Sequence, residues 1–235
     1  MASDTLDTTL TSIHRMTPRV KQFVLDANGH TFSYQPGQHT VIEFEQDGET
    51  VKRPYTPVNL PGTNTLALAI KRYEDGTAST WMHDREVGDD ITISTLGGSL
   101  YLHDLDRDAV FLSTGTGITP MIAMLKQYLN EGSGQVAFLY GERTQEDIMY
   151  RETLDHLSAD HDNLTVLYSL SHEDWDGPTG HVQSHLDEVL DGRFDNPHYY
   201  ICGIPPMVVD TEETLRERGV EDDRIITEGW ESDAV

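Results

Sequence analysis

The sequence predicts a β + α/β protein, with an antiparallel sandwich or barrel first and a helix-covered parallel sheet after it. Two observations carry this. Residues 8 to 102 read as many short strands punctuated by turn signals, the rhythm of an antiparallel sandwich or barrel. After the polar connector His103 to Asp108 the rhythm becomes strand–helix–strand, which calls for a parallel sheet buried on both faces. The division is expected as residues 1–104 and 105–235.

The elements follow in chain order. Thr31 to Tyr34 reads as a strand running into Gln35-Pro36-Gly37-Gln38, and Thr40 to Glu45 as a strand leading to the hairpin signal Asp47-Gly48. Leu66 to Lys71 and Asp90 to Ser94 are further strands, and Thr80 to Arg85 is the one short helix expected among them. In the second half, Ala109 to Ser113 is a compact apolar strand. The helix after it carries Ile118, Ile122, Leu125 and Leu129 at helical spacing, with Pro120 suited to its first turn and Gly132 to its end. Strands are expected at Gln135–Tyr140, Leu164–Tyr168, His198–Cys202 and Arg224–Thr227, with helices near 147–159, 182–190 and 206–218.

Composition narrows the function classes. The chain of 235 residues has no apolar run of transmembrane length, and its start lacks the basic and apolar regions of a signal peptide. Cys202 is the single cysteine, which excludes an internal disulfide framework and a cluster or zinc site held by four in-chain thiolates. A cytoplasmic protein is expected. Acidic residues number 41 against 16 basic ones, a net charge of −25, so neither nucleic acid nor a membrane surface is an expected partner. Arginines outnumber lysines 12 to 4. Beside an ordinary acidic protein stands the favoured reading, a protein from a salt-loaded cytoplasm; at 1 M salt the Debye length is only about 3 Å, so carboxylate repulsion costs little.

Four segments carry chemistry-bearing residues, each with a structural alternative. Gly115-Thr116-Gly117 follows a strand and opens a helix, a setting for a pyrophosphate on backbone N–H groups; a tight structural turn uses the same glycines. Cys202-Gly203-Ile204-Pro205-Pro206-Met207 ends another strand and opens another helix. Ligands of open α/β sheets sit at such strand ends, so the two turns are expected near one another; a lone buried Cys is otherwise inert. Arg53-Pro54-Tyr55-Thr56 sets a guanidinium and a ring on one strand face, suited to phosphate pairing and stacking, or simply to cross-strand packing. Gly76-Thr77-Ala78-Ser79-Thr80 precedes the short helix as an anion cradle or a plain N-cap. His181 and His185 are four apart on an expected helix, without a third metal ligand of obvious spacing; a solvated face is favoured and no metal site is expected.

These segments, in this order, resemble the motifs of the ferredoxin–NADP reductase superfamily. Arg53 to Thr56 is similar to its Arg-x-Tyr-Ser/Thr flavin motif, and Gly76 to Ser79 to its flavin-phosphate loop. Gly115 to Pro120 is similar to its Gly-x-Gly-x-x-Pro nicotinamide motif, and Cys202 to Met207 to its Cys-Gly-x-Pro-x-Met motif. The resemblance implies a Greek-key flavin-binding β-barrel followed by a Rossmann-like NAD(P)-binding domain. It implies a flavin-dependent NAD(P)H oxidoreductase that takes hydride onto FAD and passes electrons to a ferredoxin-like or other one-electron acceptor. Two other readings stand beside it: a flavin reductase or diaphorase using small acceptors, and an electron-transfer subunit without turnover of its own. By the same resemblance Tyr55 stacks on the flavin ring, Arg53 pairs with its phosphates, and Thr56 hydrogen-bonds the flavin N5. Ile70, Lys71 and Arg72 line the flavin through their backbone. Gly115 to Gly117 carry the nicotinamide pyrophosphate, with Cys202 beside the nicotinamide ring. Hydride transfer requires the donor carbon about 3–3.5 Å from N5.

The resemblance weakens at the C-terminus. Glu228-Gly229-Trp230 looks like the family's glutamate and terminal aromatic, yet Glu231 to Val235 follow. Trp230 either gates the nicotinamide site, the favoured role, or packs on the barrel; Glu228 is either a proton relay or one more surface carboxylate. For the choice between NADH and NADPH, Gly141-Glu142-Arg143 offers both charges, whereas Ser171-His172-Glu173 stands where phosphate-preferring members often carry Ser-Arg; this favours NADH. The negative surface also conflicts with an acidic ferredoxin unless Arg15, Arg19, Lys21, Lys52, Arg72 and Arg85 gather near the flavin. Docking without long-range steering, through short-range apolar contacts, is therefore expected.

Overall fold

The computed structural model describes residues 5–228. The roles expected of Trp230 and the residues around it, from Gly229 to Val235, lie outside the described residues. The described chain divides into two units, one ending at Tyr101 and the other beginning at Leu102.

The first unit holds β1 (Thr5–Arg15), β2 (Val20–Asp26), β3 (Thr40–Gln46), β4 (Glu49–Tyr55), β5 (Thr65–Lys71), helix α1 (Thr77–His83) and β6 (Asp90–Ser94). The strands form a six-stranded sheet in the order β4-β3-β6-β1-β2-β5, and every pairing is antiparallel. The sheet curls until its ends meet: Pro57 bridges Leu68, and the Val58 N–H donates to the Ala67 carbonyl at 2.9 Å. Period-two burial drives the curl, because Ile42 and Phe44, Leu66, Leu68 and Ile70, and Ile91 and Ile93 all turn into one cluster with Leu10, Phe23 and Leu25. Burying each such side chain stabilises the unit by about 1.5–3 kcal/mol. The β3–β4 hairpin turns on Asp47 and Gly48, both at positive φ (54° and 85°), the conformation that a two-residue Asp-Gly turn supplies.

Two expectations shift here. Thr31 to Tyr34 joins no sheet. The segment is pinned to a neighbouring loop instead, with the Phe32 N–H donating to Thr63 O and the Gly62 N–H to Phe32 O, each at 2.9 Å. The short helix begins at Thr77 rather than Thr80, with Gly76 at its N-cap.

The second unit holds β7 (Ala109–Thr114), α2 (Ile118–Glu131), β8 (Val136–Glu142), α3 (Arg151–Asp160), β9 (Leu164–Leu170), α4 (Leu186–Leu190), β10 (His198–Cys202), α5 (Pro205–Glu217) and β11 (Ile225–Glu228). Its five strands run parallel in the order β11-β10-β7-β8-β9. Central β7 and β8 are buried almost throughout, as a sheet covered on both faces requires. Strand order reverses at β7, so the turns after β7 and β10 lie side by side at a topological switch point. α2 buries Ile118, Met121, Ile122, Leu125 and Tyr128. The Tyr128 hydroxyl donates to the Arg107 carbonyl and accepts from the Gly134 N–H, tying down the helix end.

The expected 147–159 helix is α3, delayed by a single turn at Gln145–Asp147 and by Tyr150 at φ 56°. The expected 182–190 helix is half a 3₁₀ turn, Val182–His185, before α4. His181 precedes that turn and His185 ends it, so the pair shares no α-helical face; the His185 Nε2 lies 3.1 Å from Ser169 Oγ. Among the described residues no helix is long and apolar enough to cross a membrane.

Candidate functional site

In the first unit, the end of β4 sets Arg53 opposite Ile42, Pro54 opposite Val41 and Tyr55 opposite Thr40. Pro54 is tolerated because β4 is the last strand of the sheet order. Tyr55 packs partly buried against the barrel core. Burial pushes its hydroxyl up to about 12, against the pull of the Arg53 guanidinium. Arg53 donates from Nη1 to the Lys52 carbonyl at 2.9 Å. Thr56 is only 3 % exposed, and its Oγ1 is buried with no hydrogen-bond partner among the described residues. A buried orphan hydroxyl costs about 1–3 kcal/mol, a cost that a ligand with a polar edge removes.

Beside it runs β5. Of the three residues expected to offer backbone, two are engaged within the protein: the Ile70 carbonyl lies 2.8 Å from His83 Nε2, and the Arg72 N–H donates to Arg19 O at 2.8 Å. Alternation then turns the Lys71 peptide to the opposite edge, the edge on which Ala67 accepts from Val58 and donates to Asn59 Oδ1 at 2.8 Å. At the start of α1, a Cβ on Gly76 would fall 2.3 Å from Ser79 Oγ, so a larger residue there would displace the Ser79 hydroxyl. The Ser79 hydroxyl accepts from the Tyr73 N–H at 3.3 Å and donates to Gly76 O at 3.4 Å, and Thr80 Oγ1 donates to Tyr73 O at 3.3 Å. Both side chains therefore brace the turn. Thr77, Ala78 and Ser79 belong to the helix's first turn, whose N–H groups have no intrahelical acceptor. His83, buried at the end of α1, gave no signal in the sequence, being a lone histidine outside any motif.

In the second unit, Gly115 takes φ +57°, which glycine adopts without strain. Gly115–Gly117 forms a 3₁₀ turn running into α2. Thr119 Oγ1 donates to Thr116 O at 2.9 Å, and Pro120 is buried in the first turn of α2. A Cβ on Gly117 would sit 2.1 Å from the Cys202 carbonyl oxygen, and one on Gly203 2.2 Å from Thr114 Oγ1 and 2.5 Å from Met207 Cε. The two turns are thus in backbone contact, as the sheet order requires. The Ile204 N–H donates to Thr114 Oγ1 at 3.2 Å, Pro205 opens α5, and Cys202 and Met207 are buried. Glu228 stands in register beside Cys202. Ser113, paired with Cys202 across the sheet, holds a buried Oγ without a partner among the described residues; the sequence showed it only as a strand residue.

Glu142 departs from expectation. It is 8 % exposed and accepts from the Tyr140 hydroxyl at 2.8 Å, while the same hydroxyl lies 3.2 Å from the Gly115 carbonyl. Burial and the neighbouring Glu142 charge raise the Tyr140 phenol well above its ordinary range. Gly141 is packed against Thr114 and Val182, so of Gly141-Glu142-Arg143 only Arg143 is exposed. Near it, Glu173 accepts from the Gln145 N–H (2.7 Å) and Gln145 Nε2 (2.9 Å), bonds that hold its carboxyl below the ordinary range.

A curled antiparallel sheet with an unsatisfied polar edge, and a parallel sheet with glycine turns at its switch point, define a class: oxidoreductases that bind FAD in one unit and NAD(P) in the other. Residues 7–101 match the family described as oxidoreductase FAD-binding domain, and residues 111–213 the oxidoreductase NAD-binding domain. The chain is 33 % identical over 225 residues to ferredoxin–NADP reductase B of Sorangium cellulosum (strain So ce56), covering 90 % of this chain and 91 % of that protein. It is 34 % identical over 204 residues to the ferredoxin reductase component of the 3-ketosteroid-9-alpha-monooxygenase of Mycolicibacterium smegmatis, covering 85 % of this chain but 56 % of that protein. The solved FAD/NAD-binding domain of nitric oxide dioxygenase from Vibrio cholerae O1 biovar El Tor shares the fold, with a TM-score of 0.88, 23 % identity, and coverage of 96 % of this chain and 98 % of that one. The chain belongs to the ferredoxin–NADP reductase family and is a flavin-dependent NAD(P)H oxidoreductase.

Proposed function

We propose that the chain oxidises NADH through FAD held at the Tyr55–Thr56 edge, and that it delivers electrons to an acidic ferredoxin-like protein. FAD, when bound, accepts a hydride and gives up electrons singly. The single observation that carries the flavin position is the orphan Thr56 hydroxyl, next to the Pro57 that bridges Leu68 of β5. There Thr56 bonds the flavin N5, the Tyr55 ring stacks, and Arg53 pairs with phosphate. In the other unit the Gly115–Gly117 turn receives the nicotinamide pyrophosphate at the start of α2, and Cys202 and Glu228 border the nicotinamide. NADH is supported by the ionised Glu173 fixed on Gln145, which disfavours a 2′-phosphate nearby, although the exposed Arg143 pulls the other way.

An acidic acceptor is supported by an uneven distribution of charge. Arg15 pairs opposite Lys21, Val20 opposite Lys71, and Arg19 O holds the Arg72 N–H. Four of the six cations singled out in the sequence, Arg15, Arg19, Lys21 and Arg72, gather with Lys71 at one end of β1, β2 and β5, while Lys52 and Arg85 pair with Glu43 and Asp89; this corner supports a charged contact at short range. We place the protein in a salt-loaded cytoplasm on the support of its −25 charge. There the corner acts at contact range only, because the Debye length is about 3 Å at 1 M salt.

The test is anaerobic titration of the purified protein in high salt with NADH and, separately, NADPH, following flavin absorbance. Bleaching by NADH at lower concentration than NADPH supports the reading; bleaching by neither removes it. Arg15→Glu is expected to slow reduction of an acidic ferredoxin several-fold and to leave ferricyanide reduction unchanged.

A further inference from the structure

We propose that a cavity at the amino ends of β7, β10 and β11 binds a small amino acid zwitterion, its carboxylate on Arg224 and its ammonium among exposed carboxylates. The cavity measures about 390 Å³, within the roughly 300–1,000 Å³ of small-molecule sites. It belongs to the second unit alone. Arg107 precedes β7, His198 opens β10 and Arg224 stands immediately before β11, whereas the glycine turns assigned to the nucleotide lie at the other ends of β7 and β10. Every side chain lining it is polar or charged. Arg224 is only 8 % exposed. Its Nη1 donates to the Phe194 carbonyl at 3.2 Å, which also accepts from the Tyr199 hydroxyl at 3.0 Å. Among the described residues Arg224 forms no ion pair. Buried charges are ordinarily paired, and the planar fork of a guanidinium matches a carboxylate. His198 lines the same cavity, and its buried Nδ1 has no hydrogen-bond partner among the described residues.

The charges around this space select the ligand. Asp195, Glu221 and Asp223 line it as exposed residues. None of the three is ion-paired among the described residues, although the adjacent Asp222 takes Arg216 Nε at 2.7 Å. Arg107, the other lining cation, lies with its Nε 3.5 Å from Asp104 Oδ2. Burial holds His198 below its ordinary value of 6.5, against the pull of Asp104, so its imidazole adds no charge at neutral pH. Two guanidinium groups against three carboxylates leave the lining with one net negative charge. A free anion deepens that imbalance. An amino acid does not: its carboxylate neutralises the buried guanidinium while its ammonium meets the carboxylates. Exposed carboxylates need no partner, so the buried Arg224 is the group that calls for a ligand.

The experiment is calorimetric titration of the FAD-loaded protein at neutral pH and one fixed KCl concentration, with L-glutamine, acetate and methylammonium in turn. L-Glutamine, whose uncharged polar side chain suits the polar lining, is expected to bind saturably at one site per chain. Acetate and methylammonium each carry half of the recognised charge and are expected to bind about tenfold more weakly. Arg224→Gln keeps a donor for the Phe194 carbonyl without the charge, and is expected to weaken L-glutamine binding by about tenfold. The double variant Asp195→Asn with Asp223→Asn changes only exposed side chains, and decides the matter even if Arg224→Gln does not fold. It is expected to bind L-glutamine several-fold more weakly, with its flavin spectrum and NADH oxidation as in the wild type. No saturable heat with L-glutamine, acetate binding as tight as that of L-glutamine, or wild-type affinity in the double variant overturns the proposal.

Discussion

Thr56 and Gly117 give a single-residue test in each unit. Thr56→Val removes a hydroxyl that has no partner among the described residues, so FAD-free protein is expected to melt no lower than wild type. Flavin reduction in stopped flow is expected to slow by about tenfold, the order of one lost hydrogen bond of 1–1.5 kcal/mol; an unchanged rate would place the flavin N5 elsewhere. Gly117→Ala drives a methyl toward the Cys202 carbonyl, 2.1 Å from an ideal Cβ. The expected cost is about 1–3 kcal/mol of stability, with a raised KM for the nicotinamide and an unaltered bound-flavin spectrum. At this scale the turn glycines were legible, since Gly115, Gly117 and Gly203 stand at the tight strand–helix turns that the sequence marked. Glu142 was misjudged: alternation alone does not show that the Tyr140 hydroxyl draws its carboxylate into the protein.

At the scale of elements, the end of β8 braces the turn after β7. Tyr140→Phe deletes the hydroxyl shared between Gly115 O and Glu142, and a urea titration is expected to show a loss of about 1–3 kcal/mol. Strands and helices with a buried period were legible, among them β3, β5, β7 and α2. Thr31 to Tyr34 was not, since an extended polar–apolar stretch reads alike whether it pairs in a sheet or on a loop, as Phe32 does with Thr63 and Gly62. The start of α1 was missed because Thr77-Ala78-Ser79 has no apolar period; the bracing by Ser79 and Thr80 comes from hydroxyls, which periodicity does not register.

For the whole molecule, charge dominates. Each unit carries its own hydrophobic cluster, and neither has basic residues enough to neutralise its share of the −25. Lowering salt from about 1 M to 10 mM stretches the Debye length from about 3 Å to 30 Å. The melting temperature is accordingly expected to fall steadily as KCl is withdrawn, and a flat dependence would contradict the salt-loaded setting. The order of the two units was legible from rhythm alone. The gathering of Arg15, Arg19, Lys21 and Arg72 stood in the sequence only as a condition, and that Lys71 joins them while Lys52 and Arg85 do not depends on the registers of three strands.

Cys202 ends β10 with no exposed surface, and the chain has no other thiol. A thiol reagent therefore has a single address, reached only when the end of β10 swings open. Its uptake becomes a clock built into the native chain: the rate of modification counts openings of the turn after β10 without any added label, and a nucleotide that seats there is expected to slow the count.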